Sequence, residues 1–506
     1  MMEKIKGSFW LIFGGMLLFN IPYTYYLGGL STNICLLYLY YILFAYILYK
    51  VLESYSFHRI WILAFFYAIF ICFFVPIYSP IDESSHFDYV LTLSYDHVLP
   101  NMLTEINVNR LSMGLGISGI FPWNHEAVQP PIYYIFISFL TMFIKNNIIK
   151  LYVIRFLGFA ILVSTSFLIY KSIELLKSNF SLLYDQKTFN YLLFIIGFNP
   201  GIIIRFCTVS NESLAVFFST LLIYIFINIV VSSKKCYIYY SLILMPITFL
   251  TKNTTIYLLA IFFLIMLYQK KWKVMAVSFL TFIFMISPWL LHNLVLYNSL
   301  TGINRHLELI LPIVNPQKVL INIIDRIPRF FESYFLASEV TAKPLLVMVL
   351  TFFSFLSLLL FIAMSLFAFK YTLSVIKRKL QFNYSSIEKL EFIKYIFSVA
   401  FIINTLMLFV STLTSGIDTI LGRYVYLSVL PIIGYLLCNN IILNNKIKII
   451  FIVFLSLNYI DSLYSIFDTN KVPILFQNYQ TELIKDDNSL GGCYYPQPNN
   501  ENRKIL

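Results

Sequence analysis

The short polar stretch PIDESSHFDY, at residues 80–89, concentrates side chains that could carry out chemistry. Within seven residues it holds Asp82, Glu83, His86 and Asp88. It directly follows an apolar segment, at about 60–78, that is long enough to cross a membrane. Carboxylates and imidazoles serve as general acids and bases, and they also bind substrates or cations. Such a density of titratable groups at a membrane face predicts a functional site.

The pattern around this stretch predicts the start of a helix. Ser79 fits the cap position and the following proline fits the first helical position, with Asp82 reaching back to the cap. On that helix Asp82 and His86 lie one turn apart on one face beside Tyr89, whereas Glu83 points elsewhere. A role in capping would by itself explain Asp82, and external loops of membrane proteins are ordinarily polar. A cap, however, needs only one of these four titratable groups.

The elements that must position these residues are membrane helices. The mean hydropathy is +0.79 over 506 residues, and only 12% of the residues are charged. This exceeds what a soluble core requires and predicts an all-α polytopic membrane protein with roughly 11–14 transmembrane helices. The apolar runs lie near 8–27, 32–50, 60–78, 131–145, 151–170, 189–204, 212–231, 237–250, 254–268, 274–291, 345–369, 395–413, 424–440 and 448–466.

The topology is predicted from these runs and the basic turns between them. An amino terminus inside the cell places 79–130 outside as the first external loop. Counting back from the basic turn QKKWK contradicts this result unless one short segment, 131–145 or 237–250, does not cross. The transmembrane domain would then span 1–466 and include a second external loop at 292–344. A polar tail, at 467–506, is also expected outside.

The net charge of +12 could indicate nucleic-acid binding. However, the lysines and arginines form short clusters between apolar runs, as at Lys270, Lys271 and Lys273, which is the positive-inside pattern of membrane proteins. We therefore expect a lipid bilayer, and no nucleic acid, as a partner. The six cysteines are scattered without a CxxC pair, so neither a zinc site nor a disulfide framework is predicted.

Several motifs in order along most of the chain resemble the GT-C superfamily of integral-membrane glycosyltransferases. They are PIDE after an early span, HEAVQPPIYYI at 125–135, FNPGIIIRFCTVSNESLAVFF at 198–218, LTKNTTIYLL at 250–259, SPWLLHNLVLYNSLTG at 287–302 and LGRYVYLSVLP at 421–431. The chain is most similar to a bacterial branch with a P-x-D-E-x-x-H signature. It departs from better-known members in having two apolar segments before the span that precedes the motif.

The resemblance implies a GT-C-like bundle in a plasma membrane, with an extracytoplasmic site that uses a polyprenyl-phosphate-linked sugar as donor. Asp82 would be the general base toward a glycan or lipid-linked acceptor, with Glu83 or His86 positioning the sugar or sharing the proton. Fixed cations must meet the charge that develops on the departing phosphate, and the candidates are Arg423, Lys252, Arg205 and His292. Each of these could instead be a side chain that extends to the membrane interface.

The resemblance also suggests the groove for lipid or acceptor. Its candidate residues are Gln129, Tyr133, Tyr134 and Asn211, although such tyrosines commonly belong to the aromatic belt of membrane proteins. Asp82, Glu83, His86 and Asp88 could supply ligands to a divalent metal, which oligosaccharyltransferases of this superfamily use. Most members that use lipid-linked monosaccharides do not, so we predict no cofactor.

Two other functions are compatible with the sequence. A flippase or transporter of lipid-linked saccharides would need charges deep within its spans, whereas here the polar residues concentrate in external loops. A polymerase of polysaccharide repeat units would depend on arginines in a late external loop, and 292–344 contains Arg305, Arg326 and Arg329. The sequence favours the glycosyltransferase, and it identifies neither the sugar nor the acceptor.

Overall fold

The protein is described here by a computed structural model that covers most of the chain. The described residues are 45–53, 57–75, 77–78, 82–102, 110–111, 124–180, 182, 185–232, 234–302, 344–377, 386–415, 422–441 and 443–468. Throughout these ranges the regular elements are helical, and none is a strand. The first two predicted spans lie outside them except for a helical stretch at 45–52, and so does the tail from 469 onwards.

The described ranges contain fourteen delimited α-helices. They are α1 Phe57–Phe74, α2 Glu83–Tyr95, α3 Ile132–Thr141, α4 Asn147–Phe180, α5 Gln186–Leu192, α6 Pro200–Phe206, α7 Glu212–Ser232, α8 Lys235–Phe249, α9 Tyr257–Tyr268, α10 Trp272–Tyr297, α11 Pro344–Lys377, α12 Ser386–Ser415, α13 Val429–Cys438 and α14 Asn445–Asp468. Three 3-10 segments, at His125–Val128, Asn253–Ile256 and Gly422–Ser428, and one π-helical turn, at Leu193–Gly197, adjoin them.

Five of the described helices are long and apolar enough to cross a membrane: α4, α7, α10, and the parts of α11 and α12 at Ser357–Ile376 and Ile387–Met407. A sixth span would consist of α5 with its π-helical turn and α6, which meet at a bend of 60°. These helices are those of a multi-pass membrane protein, and the predicted all-α membrane class is confirmed. The total of 11–14 spans and the GT-C-like arrangement stay predictions.

The length of α3 bears on the conflict in the predicted topology. It has ten residues and is therefore about 15 Å long, half of the hydrocarbon thickness of a bilayer. The other candidate, α8, has 15 residues and reaches about 22 Å. Of the two segments, α3 is the one whose length argues against a crossing.

The central helix of the described bundle is α7, which packs against α4 and α8. Much of its surface is buried inside the protein, whereas the most apolar part of α10 is only 22% buried and that of α11, at Ser357–Ile376, only 11%, as in lipid-facing helices. The packing of α4 on α6 is unusually close at Gly158, where a Cβ atom would lie 1.7 Å from the carbonyl oxygen of Phe206. Only glycine permits this approach, which brings the loop after α6 beside the amino-terminal half of α4.

Local sequence explains where the helices near the polar stretch begin and end. Asn199 accepts a hydrogen bond from the backbone N–H of Ile202, at 3.0 Å, and Pro200 occupies the first turn of α6. Helix α10 ends at Tyr297, and the next residue, Asn298, terminates it with a left-handed backbone (φ 52°). The first residues of the predicted second external loop, 292–297, thus belong to α10, and its residues 303–343 lie outside the described part of the chain.

Candidate functional site

Glu83, the first residue of α2, forms a buried ion pair with Arg155 of α4. The side chains of Arg155 and Glu83 are 0% and 1% exposed. Arg155 donates from Nε to Oε1 at 3.0 Å and from Nη2 to Oε2 at 2.6 Å. The same carboxylate accepts the backbone N–H groups of Tyr78 and Val209, each at 3.0 Å. Since a buried charge is tolerated only when paired and hydrogen-bonded, this carboxylate joins α2, α4 and the loop before α7 at one point.

The remaining nitrogen of Arg155 secures α1. Its Nη1 donates to the carbonyl oxygens of Cys72 at 3.1 Å and Val75 at 2.8 Å, at the end of α1. The last carbonyls of a helix lack partners within the helix, and a cation satisfies them and the negative end of the helix dipole. Arg155 therefore links the predicted span before the polar stretch to the polar stretch itself.

These contacts give Glu83 a different task from the one suggested by the sequence. We expected it to position the sugar or share a proton, but its four hydrogen bonds to protein groups use both oxygens of the carboxylate. A buried carboxylate with this set of partners holds the structure together, and it is not available to a substrate while they last. These hydrogen bonds fix the first residue of α2, directly after Asp82.

Asp82 occupies the cap position of α2 in an unusual backbone conformation. Its φ and ψ are 76° and −8°, in the left-handed region, which costs an L-residue about 1 kcal/mol. Its carbonyl oxygen accepts the first helical hydrogen bond, from the N–H of His86 at 3.0 Å. Its side chain, which is partly exposed, makes no capping hydrogen bond. The expected helix start at Ser79 is therefore wrong, because Asp82 precedes the helix and its carboxylate does not serve as the cap.

His86, one turn into α2, belongs to a stack of aromatic rings. Its Nδ1 lies 2.7 Å from the hydroxyl of Tyr134 and 3.9 Å from Oε2 of Glu126. The ring of Tyr134 stacks on that of Tyr89, with centroids 3.7 Å apart and planes at 8°. Burial raises the pKa of Tyr134, and the carboxylates of Glu126 and Asp82 raise it further. Tyr134 therefore stays protonated and can donate to Nδ1 of a neutral His86, which leaves the imidazole proton on Nε2.

The Tyr134 hydroxyl can be tested by the substitution Tyr134→Phe, which keeps the stacked ring and removes the contact to His86. Since a lost hydrogen bond to an imidazole costs about 1 kcal/mol, we expect any activity that depends on the orientation of His86 to fall about fivefold. The control is Tyr95→Phe at the far end of α2, where the hydroxyl bonds Asn147 at 2.8 Å on the surface. An equal loss in both variants would contradict a specific role for Tyr134.

Asp88 joins α2 to the segment that precedes α3. Its Oδ2 accepts a hydrogen bond from Asn124 at 2.8 Å, and its Oδ1 lies 3.6 Å from a guanidinium nitrogen of Arg110. Burial raises the pKa of Asp88, and Asn124 and Arg110 partly oppose that effect. Arg110 also bonds Asp96 at 2.8 Å. Asp88 therefore has a structural setting, and the four titratable side chains of the polar stretch do not converge on one point.

The predicted groove residues are connected to each other, but not as an open groove. Asn211 donates to the side-chain oxygen of Gln129 at 3.4 Å and to the carbonyl oxygen of Thr251 at 3.3 Å. The hydroxyl of Tyr133 accepts the N–H of Ser210 at 3.2 Å. Tyr133 and Tyr134 are 2% and 0% exposed. Both tyrosines are therefore buried inside the protein and do not belong to a lipid-facing aromatic belt, and their role in a groove stays a prediction.

Among the four predicted phosphate ligands, Lys252 is engaged by an acidic side chain. Its Nζ lies 3.1 Å from Oε1 of Glu212, with both side chains 9% exposed. This ion pair weakens the case for Lys252 as a phosphate ligand, because a neutralised cation attracts an anion less. Arg205 lies in the last turn of α6, and His292 lies in α10. The backbone of Arg423 belongs to the 3-10 segment before α13, and its side chain lies outside the described part of the protein.

Sequence reasoning missed three charged residues of this region. They are Arg110, Glu126 and Arg155. Arg155 could have been found, because an arginine inside a predicted span at 151–170 must find a buried partner. In the described residues, no three His, Cys, Asp or Glu side chains are grouped closely enough to hold a metal ion.

Comparisons of the chain with protein-family models, with curated proteins and with solved structures gave no match. The resemblance to the GT-C superfamily therefore stays a prediction from the sequence motifs.

Proposed function

We propose that this protein is a membrane glycosyltransferase. It moves a sugar from a polyprenyl-phosphate donor to a cell-surface glycan or lipid-linked acceptor, with Asp82 as general base. The proposal combines the order of the sequence motifs with the setting of the polar stretch beside apolar, membrane-type helices. A lipid phosphate brings its sugar to such a membrane face, where a soluble enzyme would not reach it.

The observation that carries the proposal is the contrast between Asp82 and Glu83. Glu83 is buried and bound by Arg155, whereas the adjacent Asp82 has a partly exposed carboxylate, a left-handed backbone and no capping bond. Unfavourable backbone conformations persist where the surrounding structure enforces them, and they cluster at sites of chemistry. An acid held in this way beside His86 has the setting of a general base.

The reaction requires three changes at the site. In an inverting transfer, Asp82 takes the proton of the acceptor hydroxyl while the acceptor oxygen forms a bond to the anomeric carbon. The bond between that carbon and the phosphate oxygen breaks, and polyprenyl phosphate leaves with the electron pair. Arg205 and Arg423 are the candidates to stabilise the departing phosphate, since Lys252 is paired with Glu212.

The proposal is tested with purified protein in lipid nanodiscs. The assay supplies polyprenyl-phosphate-linked glucose, mannose, galactose or N-acetylglucosamine together with membrane glycan from cells that lack the protein. We expect release of polyprenyl phosphate and sugar incorporation at equal rates for one donor. Movement of intact donor across the bilayer without release would instead identify a flippase, and joining of lipid-linked repeat units would identify a polymerase.

A further inference from the structure

One face of α10 carries three polar side chains, each with a buried nitrogen or oxygen atom that has no hydrogen-bond partner. Trp289, His292 and Asn293 are spaced as i, i+3 and i+4, so they share one side of the helix. Within the described part of the chain, Nε1 of Trp289, Nε2 of His292 and Oδ1 of Asn293 are buried and have no hydrogen-bond partner. The side chains of Trp289 and Asn293 are 4% and 0% exposed.

Unmet polar groups at such a density need an explanation. A buried donor or acceptor without a partner has lost its hydrogen bonds to water and gained none in return, so native proteins contain few such groups. The opposite side of the same helix is apolar and exposed, as Leu291 (57%) and Val295 (82%) show. Trp289 and Asn293 are therefore turned into the protein, and the partly exposed His292 has its Nε2 atom buried beside them.

The position of this face connects it to the candidate site. The buried stripe of α10 continues from Trp289 and Asn293 to Tyr297, one helical turn beyond Asn293. The hydroxyl of Tyr297 accepts the N–H of Met102 at 3.2 Å, and its ring packs with Val128, next to Gln129. Tyr297 also lies close enough to Tyr89 to raise its pKa, after the larger effect of burial. Trp289, His292 and Asn293 thus lie about 6–12 Å along the helix axis from Tyr297, which contacts the segments around Met102 and Val128.

The chemistry of the three groups selects a type of ligand. The indole N–H of Trp289 can only donate, and the amide oxygen Oδ1 of Asn293 can only accept. The amide nitrogen Nδ2 of Asn293 already donates to the carbonyl oxygen of Leu300, at 3.3 Å. His292 either donates or accepts according to its tautomer, and its ring stacks on Trp289 with centroids 5.2 Å apart. A phosphate would meet the oxygen of Asn293 unfavourably, and a cation would meet the N–H of Trp289. Hydroxyl groups, which donate and accept at once, match the set.

We infer that the face of α10 formed by Trp289, His292 and Asn293 binds the hydroxyl groups of a saccharide. This inference rests on the proposed function in taking that saccharide to be the sugar of the donor. It also moves His292 from the predicted phosphate site to a sugar site. Asp82 and this face would then act on different parts of the substrate, the acceptor hydroxyl and the sugar ring.

The test is fluorine NMR of the full chain in nanodiscs, labelled with 5-fluorotryptophan. The chain has five tryptophans, and the signal lost in Trp289→Phe identifies that residue. The probes are citronellyl phosphate and its glucose, mannose, galactose and N-acetylglucosamine derivatives. We expect the Trp289 signal to shift saturably with at least one sugar derivative and not with citronellyl phosphate.

Two variants show whether the polar face is responsible. His292→Phe keeps the stacked ring but removes Nε2, and we expect the affinity for the sugar derivative to fall about tenfold. Leu291→Ala, on the exposed face of the same helix, should leave the affinity unchanged. A shift of equal size with citronellyl phosphate, or no shift with any derivative, overturns the inference, and water then accounts for the polar groups.

Failure of the inference and failure of the proposed function give different results. If the sugar derivative binds at Trp289 but the wild-type protein transfers no sugar, the binding face stands and the proposed function fails. If transfer depends on Asp82 while the Trp289 signal stays unmoved, the function stands and the sugar is bound elsewhere. Asp82→Asn itself should leave the binding measured at Trp289 intact.

Discussion

Asp82→Asn is expected to lower the rate of sugar transfer by about 100- to 10,000-fold, which is what a general base contributes. The amide cannot accept the proton of the acceptor hydroxyl. Asparagine tolerates the left-handed backbone of Asp82 well, so the start of α2 should be preserved. The measurement is the initial rate of polyprenyl phosphate release, with the thermal unfolding of each variant followed in detergent.

A second substitution at the same position separates chemistry from folding. Asp82→Gly removes the carboxylate, and glycine adopts the positive φ of 76° without steric cost. This variant should therefore be at least as stable as the wild type and as inactive as Asp82→Asn. Asp96→Asn is the matched acidic control, since Asp96 lies on the surface at the end of α2 with a side chain 48% exposed. Normal transfer by either Asp82 variant, or an equal loss in Asp96→Asn, would refute Asp82 as the base.

Arg155→Met is expected to destabilise the protein by about 3–5 kcal/mol, the cost of leaving one member of a buried ion pair without its partner. The substitution strips Glu83 of two of its four hydrogen bonds and frees the carbonyls of Cys72 and Val75. This one guanidinium ties the end of α1 and the start of α2 to α4, so folding yield should fall with the free energy of unfolding. Chemical unfolding in mixed micelles measures the change.

The control for this effect is an ion pair that the solvent reaches. Lys171 and Glu174 form one on α4, at 3.0 Å, with side chains 46% and 40% exposed. Lys171→Met should change the free energy of unfolding by less than about 1 kcal/mol, because exposed pairs contribute little. Replacing both buried partners, as in Glu83→Leu with Arg155→Met, should recover part of the lost stability. If Arg155→Met lowered the free energy of unfolding no more than Lys171→Met does, the buried ion pair would not anchor the fold.

The double substitution also has a functional consequence. It restores apolar packing, but the leucine at position 83 cannot accept hydrogen bonds from the N–H groups of Tyr78 and Val209 as Glu83 does. The protein should therefore fold yet transfer sugar poorly, because the carboxylate of Asp82 is no longer held in place. Full activity in the folded double variant would mean that Asp82 is positioned by other contacts.

The sequence by itself determined the helical membrane class and the place of most described helices, and it predicted a functional site at the polar stretch. The predicted spans 212–231 and 237–250 correspond to Glu212–Ser232 and Lys235–Phe249. Transfer of apolar side chains into lipid is nearly additive along the chain, and every backbone group in a span must bond within its own helix, so a local pattern suffices. The same locality placed Asp82 and His86 one turn apart.

Only the tertiary structure decided which charges meet. Glu83 pairs with Arg155, 72 positions away, and Lys252 pairs with Glu212, 40 positions away. These pairings depend on how helices cross, which close contacts such as that at Gly158 determine and which no local pattern encodes. The left-handed backbone of Asp82 has the same origin, since the partners of its neighbour Glu83 come from α4 and the loop before α7. Adjacent carboxylates with similar sequence settings thereby became a buried anchor and a partly exposed acid, because burial and partners, rather than residue type, decide what a carboxylate does.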